Sequence, residues 1–201
     1  LSLQLHESMV GNFSESLLGG HTLTDERLVE LLTEAGGEVP EELAIGPDKD
    51  PWSISFSSDR PVSATFAADH VRLAIRGRRF TRGDQEIRNT IEISATYQLE
   101  AAGTGSRLKR QGDIEVAYVN QGRLSITQVA MKTFLGRKFG ALFKVEIVGD
   151  GLALPGKWER LGKLHLNQLV SGSHWLTLGW KLRPDSVQTA GTDGDPVSTG
   201  G

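Results

Sequence analysis

Glu92 and Glu115 come closer to a catalytic pairing than any other residues of this chain. Each sits on the polar parity of an alternating segment, and the two segments are joined by Ala101-Ala102-Gly103-Thr104-Gly105-Ser106. A hairpin closed symmetrically over that connection sets Leu99 opposite Leu108, Ile93 opposite Ile114, Ile91 opposite Val116, and Glu92 opposite Glu115. Carboxylates facing each other across a ladder lie about 5 Å apart at Cβ, a separation that suits acid/base or metal chemistry. The competing explanation is neutralisation by Arg72 and Arg76, which share the polar face of a neighbouring segment. A hydrolase using Glu92 and Glu115 therefore ranks third among the expectations.

The strongest basic cluster is Arg72, Arg76, Arg78, Arg79 and Arg82. Phe80 is the lone aromatic within it, so it offers no base-stacking platform and nucleic acid is not an expected partner. Arg72, Arg76 and Arg79 are candidate anion ligands, available to an acidic headgroup. The histidines (His6, His21, His70, His165 and His174) show no metal-ligand spacing, and cysteine is absent. His6-Glu7-Ser8 holds the residue types of a triad, but neighbours on one helix diverge where a triad must converge. Gly103-Thr104-Gly105 lies between two strands rather than between a strand and a helix, which excludes a dinucleotide fingerprint. No metal, cofactor or catalytic residue is assigned.

The elements that position these groups follow from periodicity. Leu5, Met9, Phe13 and Leu17 recur every four residues, predicting a helix over 5–18 that ends at Gly19-Gly20. Thr24 followed by Asp25-Glu26 predicts a second helix over 25–35. From Trp52 to Leu182 the period is mostly two, interrupted by a third helix over 129–142 carrying Met131, Leu135, Phe139 and Leu142. Arg78 to Asp84 reads as a basic connection. On the apolar parity of the long hairpin stand Ile91, Ile93, Ala95, Tyr97, Ile114 and Val116. Arms of roughly 34–44 Å must twist and coil, with Gly112 the natural place for a bulge. The expected fold is α+β: a long, curved antiparallel sheet of about seven to nine strands, with two N-terminal helices and one later helix packed on its concave face. The Leu5–Met9–Phe13–Leu17 stripe is the expected filler of that face.

A chain of 201 residues, 38% hydrophobic and 23% charged, fits one domain over 1–183, with a polar linker or tail over 184–201. Residues 1–59 hold 2 basic and 12 acidic groups, a balance of −10, against +5 for 60–110 and +2 for 111–201. This points to acidic helices complementing a basic sheet. No apolar run reaches the length of a transmembrane helix. The start carries neither Met nor a signal-peptide pattern, which suggests a piece of a longer polypeptide, with a bacterial periplasm or envelope the favoured setting. The leading expectation is a non-catalytic module holding an apolar or lipid-like ligand on the concave face, at Ile91, Ile93, Ala95, Tyr97, Ile114 and Val116. The alternative is a structural or protein–protein interaction domain of an envelope protein, with a packed core and a surface patch around Trp158 or Trp175.

Overall fold

A computed structural model describes residues 1–47, 49–102, 105–148, 152–153 and 163–182. Trp158 and the 184–201 segment lie outside the described residues. In chain order the elements are β1 (Ser2–His6), α1 (Glu7–Leu18), β2 (Thr22–Thr24), α2 (Asp25–Glu34), β3 (Trp52–Phe56), β4 (Val62–Phe66), β5 (His70–Arg82) and β6 (Gln85–Ile87). There follow β7 (Ile91–Ala102), β8 (Gly105–Tyr118), α3 (Ile126–Leu142), β9 (Glu146–Val148), β10 (Leu152–Ala153), β11 (Lys163–Gly172) and β12 (Trp175–Leu182). An eight-stranded antiparallel sheet curls into a half-barrel in the order β2-β3-β5-β7-β8-β9, with β4 and β6 also paired to β5. A second sheet, β1-β12-β11-β10, stands against it. The class is α+β with a long curved sheet, as the alternation predicts.

The hairpin register holds as far as Thr96 opposite Gln111, then slips by two residues. Gly112 takes φ +68°, a conformation that costs glycine little, and Ala95 spans the Gly112–Ile114 bulge. Because the slip is two, parity survives and the apolar residues stay on one face. The partners change: Ile93 faces Val116, Ile91 faces Tyr118, and Glu92 faces Ala117 rather than Glu115.

β5 organises the sheet. Its first half pairs with β4 and β7, and its second half with β3 and β6. The expected basic connection from Arg78 is in fact a continuation of this strand to Arg82. The skipped residue Arg78, between Ser55–Arg79 and Phe56–Gly77, reverses parity, so Val71, Leu73 and Ile75 face inward before it and Phe80 after it. At the switch Gly77 is buried, and a Cβ there would meet the Phe80 ring at 2.5 Å and Ile54 at 2.8 Å.

α3 fills the concave face. Its start is fixed by a capping box in which Ser125 accepts from the Gln128 N–H and the Gln128 side chain accepts from the Ser125 N–H. Met131, Leu135 and Phe139, one turn apart, pack with Phe134 on Ile91, Ile93, Val116 and Tyr118. Its end is fastened by two residues of the hairpin. Tyr97 donates to the Lys144 carbonyl, and Arg110 donates to the Gly140 and Phe143 carbonyls at 3.1 and 2.5 Å. A guanidinium over the last carbonyls satisfies both orphan acceptors and the helix dipole.

The helix expected over 5–18 begins at Glu7 instead. Residues Ser2–His6 form a strand against β12, and His6 Nδ1 caps the helix by accepting from the Ser8 N–H. Leu5 therefore continues the stripe from a strand, not from the helix.

Candidate functional site

α1 lies along β4, whose outer edge has no strand partner among the described residues. An edge strand presents free N–H and C=O groups, and here the helix side chains satisfy them. Glu15 accepts from the Arg60 N–H at 3.0 Å, Ser14 from the Val62 N–H at 3.2 Å, and Glu7 from the Phe66 N–H at 3.4 Å. The Ser14 hydroxyl oxygen lies 2.8 Å from both the Gly11 and the Val62 carbonyl oxygens, so its one proton is shared between these two acceptors. Gly11 is buried beside Arg60, at a distance where even a Cβ would make only an ordinary van der Waals contact with the Arg60 stem, 3.7 Å. Glu7 has a further tie: its other oxygen meets His174 Nδ1 at 2.8 Å, in the β11–β12 turn. The polar side of α1 thus faces the sheet.

The apolar side consequently faces out, reversing the usual arrangement of a surface helix. Met9, Phe13 and Leu17 are 52%, 69% and 55% exposed. Together with Leu5, Val10, Leu18 and Val62 they line a groove of about 480 Å³. Its floor residue Val62 pairs with Ile75 and so shares the concave parity of the sheet. Ser14 is the polar residue among those lining it, and its hydroxyl is already committed to β4. The stripe expected to fill the concave face instead borders an open apolar channel at the edge of that face.

The expected ligand residues occupy a different place. Ile91, Ile93, Ala95, Tyr97 and Val116 are all at or below 3% exposure in the core, and Ile114 is half-buried beside Gly140 of α3. Arg72 and Arg76 project from the convex face, on the parity opposite Val71, Leu73 and Ile75, and Arg79 does so beyond the switch at Arg78, on the side opposite the buried Phe80. Each meets a carboxylate: Arg72 and Arg76 hold Glu92 at 3.0 and 2.8 Å, and Arg79 meets Glu86 at 2.6 Å. Arg72 also reaches Glu115 at 3.6 Å, so a guanidinium stands between the two glutamates. Burial pushes the Glu92 carboxyl up, but the hydrogen bonds and charges of Arg76 and Arg72 outweigh it and hold the group below its ordinary range. That direction suits a permanent anion rather than a proton donor at neutral pH.

No family model and no curated protein matches this chain.

His6 does reach Ser8, at 2.8 Å, but through the nitrogen that caps the helix, while Glu7 turns to His174. Acid, base and hydroxyl do not converge there. Trp175 is 45% exposed and stacks edge-on against His6 at 4.8 Å. Among the described residues no group of three acidic or histidine side chains is placed to hold a metal ion, and no helix is long and apolar enough to cross a membrane. The groove was half legible in sequence, since the four-residue spacing identified its wall. Only the three acceptors on the opposite side of α1, Glu7, Ser14 and Glu15, hinted at which way the wall would turn.

Proposed function

We propose that this chain is a non-catalytic binding module that seats the hydrocarbon part of a lipid-like ligand in the groove along α1. The observation that carries this reading is the outward-facing stripe Met9–Phe13–Leu17, opposite a polar helix face consumed by β4. A contiguous exposed apolar surface is unusual on a soluble protein and marks a place where something apolar is covered. The groove volume of about 480 Å³ falls within the range of small-molecule sites. With the Ser14 hydroxyl occupied and the arginine triplet on the convex side, recognition is of the chain and not of a headgroup, which stays in water. Binding should then depend on chain length far more than on head charge.

The test is native mass spectrometry with lipid extraction on protein purified without detergent, followed by ANS titration and its displacement by lauric acid. Saturable displacement that is lost in Phe13→Glu and kept in Arg76→Gln supports the groove. An empty protein without a saturable ANS site, or equal displacement from Phe13→Glu, ends the reading. A second reading, docking of a partner's amphipathic helix, draws on Leu3. It is 51% exposed on the same parity of β1 as Leu5 and extends the apolar surface past the groove. Under that reading Leu3→Glu and Phe13→Glu would both abolish partner capture, while the lauric acid titration shows nothing.

A further inference from the structure

The loop before β3, the end of β5 and the second half of α3 converge on another pocket, of about 260 Å³. Four cations line it: Lys49, Arg82, Arg137 and Lys138. Arg137 and Lys138 follow Phe134 by three and four residues, so all three share one face of α3. The Phe134 ring forms an apolar floor, with the Arg82 guanidinium 4.8 Å and the Lys138 ammonium 5.7 Å from its centroid.

The pocket gathers in one place several cations that lack a carboxylate partner. Arg27, Arg72, Arg76, Arg79, Arg88 and Arg107 each meet a carboxylate within 4 Å. In the pocket Arg82 does so, with Asp50 at 3.1 Å. Among the described residues Lys49, Arg137 and Lys138 have no carboxylate that close. Lys49 and Lys138 donate instead to the backbone carbonyls of Glu41 and Glu42. Glu42 and Asp50 leave the lining with two more positive than negative groups. Burial, and then the charge of Lys49, lower the affinity of Lys138 for its proton; Arg82 adds to this, while the carboxylates of Asp25 and Glu42 oppose it without cancelling it.

We propose that this pocket binds a phosphate group, either inorganic phosphate or a small-molecule phosphomonoester. A tetrahedral dianion matches a guanidinium fork flanked by two ammonium groups, and an apolar floor excludes water from one side of the contacts. The site shares no lining residue with the α1 groove and does not depend on the ligand proposed there.

The test is isothermal titration with inorganic phosphate and with phenyl phosphate, at an ionic strength held constant with chloride. Wild type should bind saturably, with an affinity on the order of 1 mM or tighter, and removal of one charge-assisted contact should weaken this about tenfold. Arg137→Gln and Lys138→Gln, each on an accessible helix face and checked for folding by circular dichroism, should show that loss. Arg88→Gln, paired to Glu86 away from the pocket, should not. Tighter binding of phenyl phosphate assigns the site to a phosphomonoester; equal binding assigns it to the inorganic ion. Absence of saturable binding, or unchanged binding in both pocket variants, overturns the proposal.

Discussion

Replacing Phe13 by Gln separates the observed orientation of α1 from the one its spacing suggests. A phenylalanine that filled the concave face would cost about 3–5 kcal/mol on truncation, through lost transfer energy and a cavity. In the structure the side chain is 69% exposed. Less than a third of a burial energy of up to about 3 kcal/mol is therefore at stake, giving a loss of at most about 1 kcal/mol. Gln is a good helix former, so propensity adds only a few tenths. Leu135→Ala is the internal standard. That residue is 1% exposed beneath α3, and its truncation should cost about 2–5 kcal/mol. Both variants would be compared with wild type by urea denaturation of delipidated protein, checking that the m-value is unchanged. A Phe13→Gln loss approaching that of Leu135→Ala would refute the outward orientation and the groove with it. Measured on lipid-loaded protein, Phe13→Gln should lose more, because the ligand's contribution of RT ln(1 + [L]/Kd) disappears as well.

Three further outcomes follow from the packing. Ser14→Ala should cost about 1–3 kcal/mol in the same denaturation assay, because it strips the Val62 N–H of its acceptor beside a buried helix face; a neutral result would mean water takes over. Gly77→Ala should lose about 1–3 kcal/mol, since the new methyl meets Phe80 and Ile54, both fully buried, and nothing there can give way cheaply; unchanged stability would contradict the parity switch in β5. Glu92→Gln should cost about 1 kcal/mol at pH 7, a figure discounted because Arg72 and Arg76 are more than a third exposed or nearly so. The folded state holds the Glu92 pKa below its ordinary 4.5, so its contribution is complete above that value and lost as pH falls through the folded pKa. The stability gap between wild type and Glu92→Gln should therefore narrow as pH falls below about 4.5, and a gap undiminished between pH 7 and pH 3 would rule out the arginine clamp.

Much of the sheet was legible because alternation is a local property. The Ile91–Tyr97 parity, the bulge at Gly112 and the core stripe Met131–Leu135–Phe139 all follow from spacing and one glycine. β1 was missed because Leu5 happens to stand four residues before Met9, and period four masks a strand boundary at His6. The inward turn of Phe80 was missed because a single skipped residue in β5 reverses parity without leaving a compositional trace. The Glu92–Glu115 confrontation dissolved for a related reason: a slip of two preserves which face a residue occupies but not whom it faces.

The orientation of α1 belongs to neither class, since it is decided by a competition between two faces of one helix for the same edge strand. Facing the stripe inward would bury the exposed half of Met9, Phe13 and Leu17, about 1–1.5 kcal/mol each. Facing it outward gives β4 and the Arg60 N–H just before it two carboxylate acceptors, at about 1.5–3 kcal/mol each, and a hydroxyl worth about 1 kcal/mol. The two sums, roughly 3–5 and 4–7 kcal/mol, are nearly balanced, so the polar seam holds the helix by a narrow margin while the apolar face stays uncovered. An occupant of the groove removes the disadvantage without disturbing the seam, because it covers Met9, Phe13 and Leu17 while Glu7, Ser14 and Glu15 remain on β4. A ligand in the groove and the seam would therefore stabilise the same orientation. Weakening the seam by Glu15→Ala should then lower the apparent affinity for lauric acid, so that a given concentration raises the melting temperature less than in wild type, since part of the unliganded population turns the stripe inward and must turn it out again to bind. If lauric acid stabilises Glu15→Ala as much as wild type at every concentration, helix orientation and groove occupancy are uncoupled.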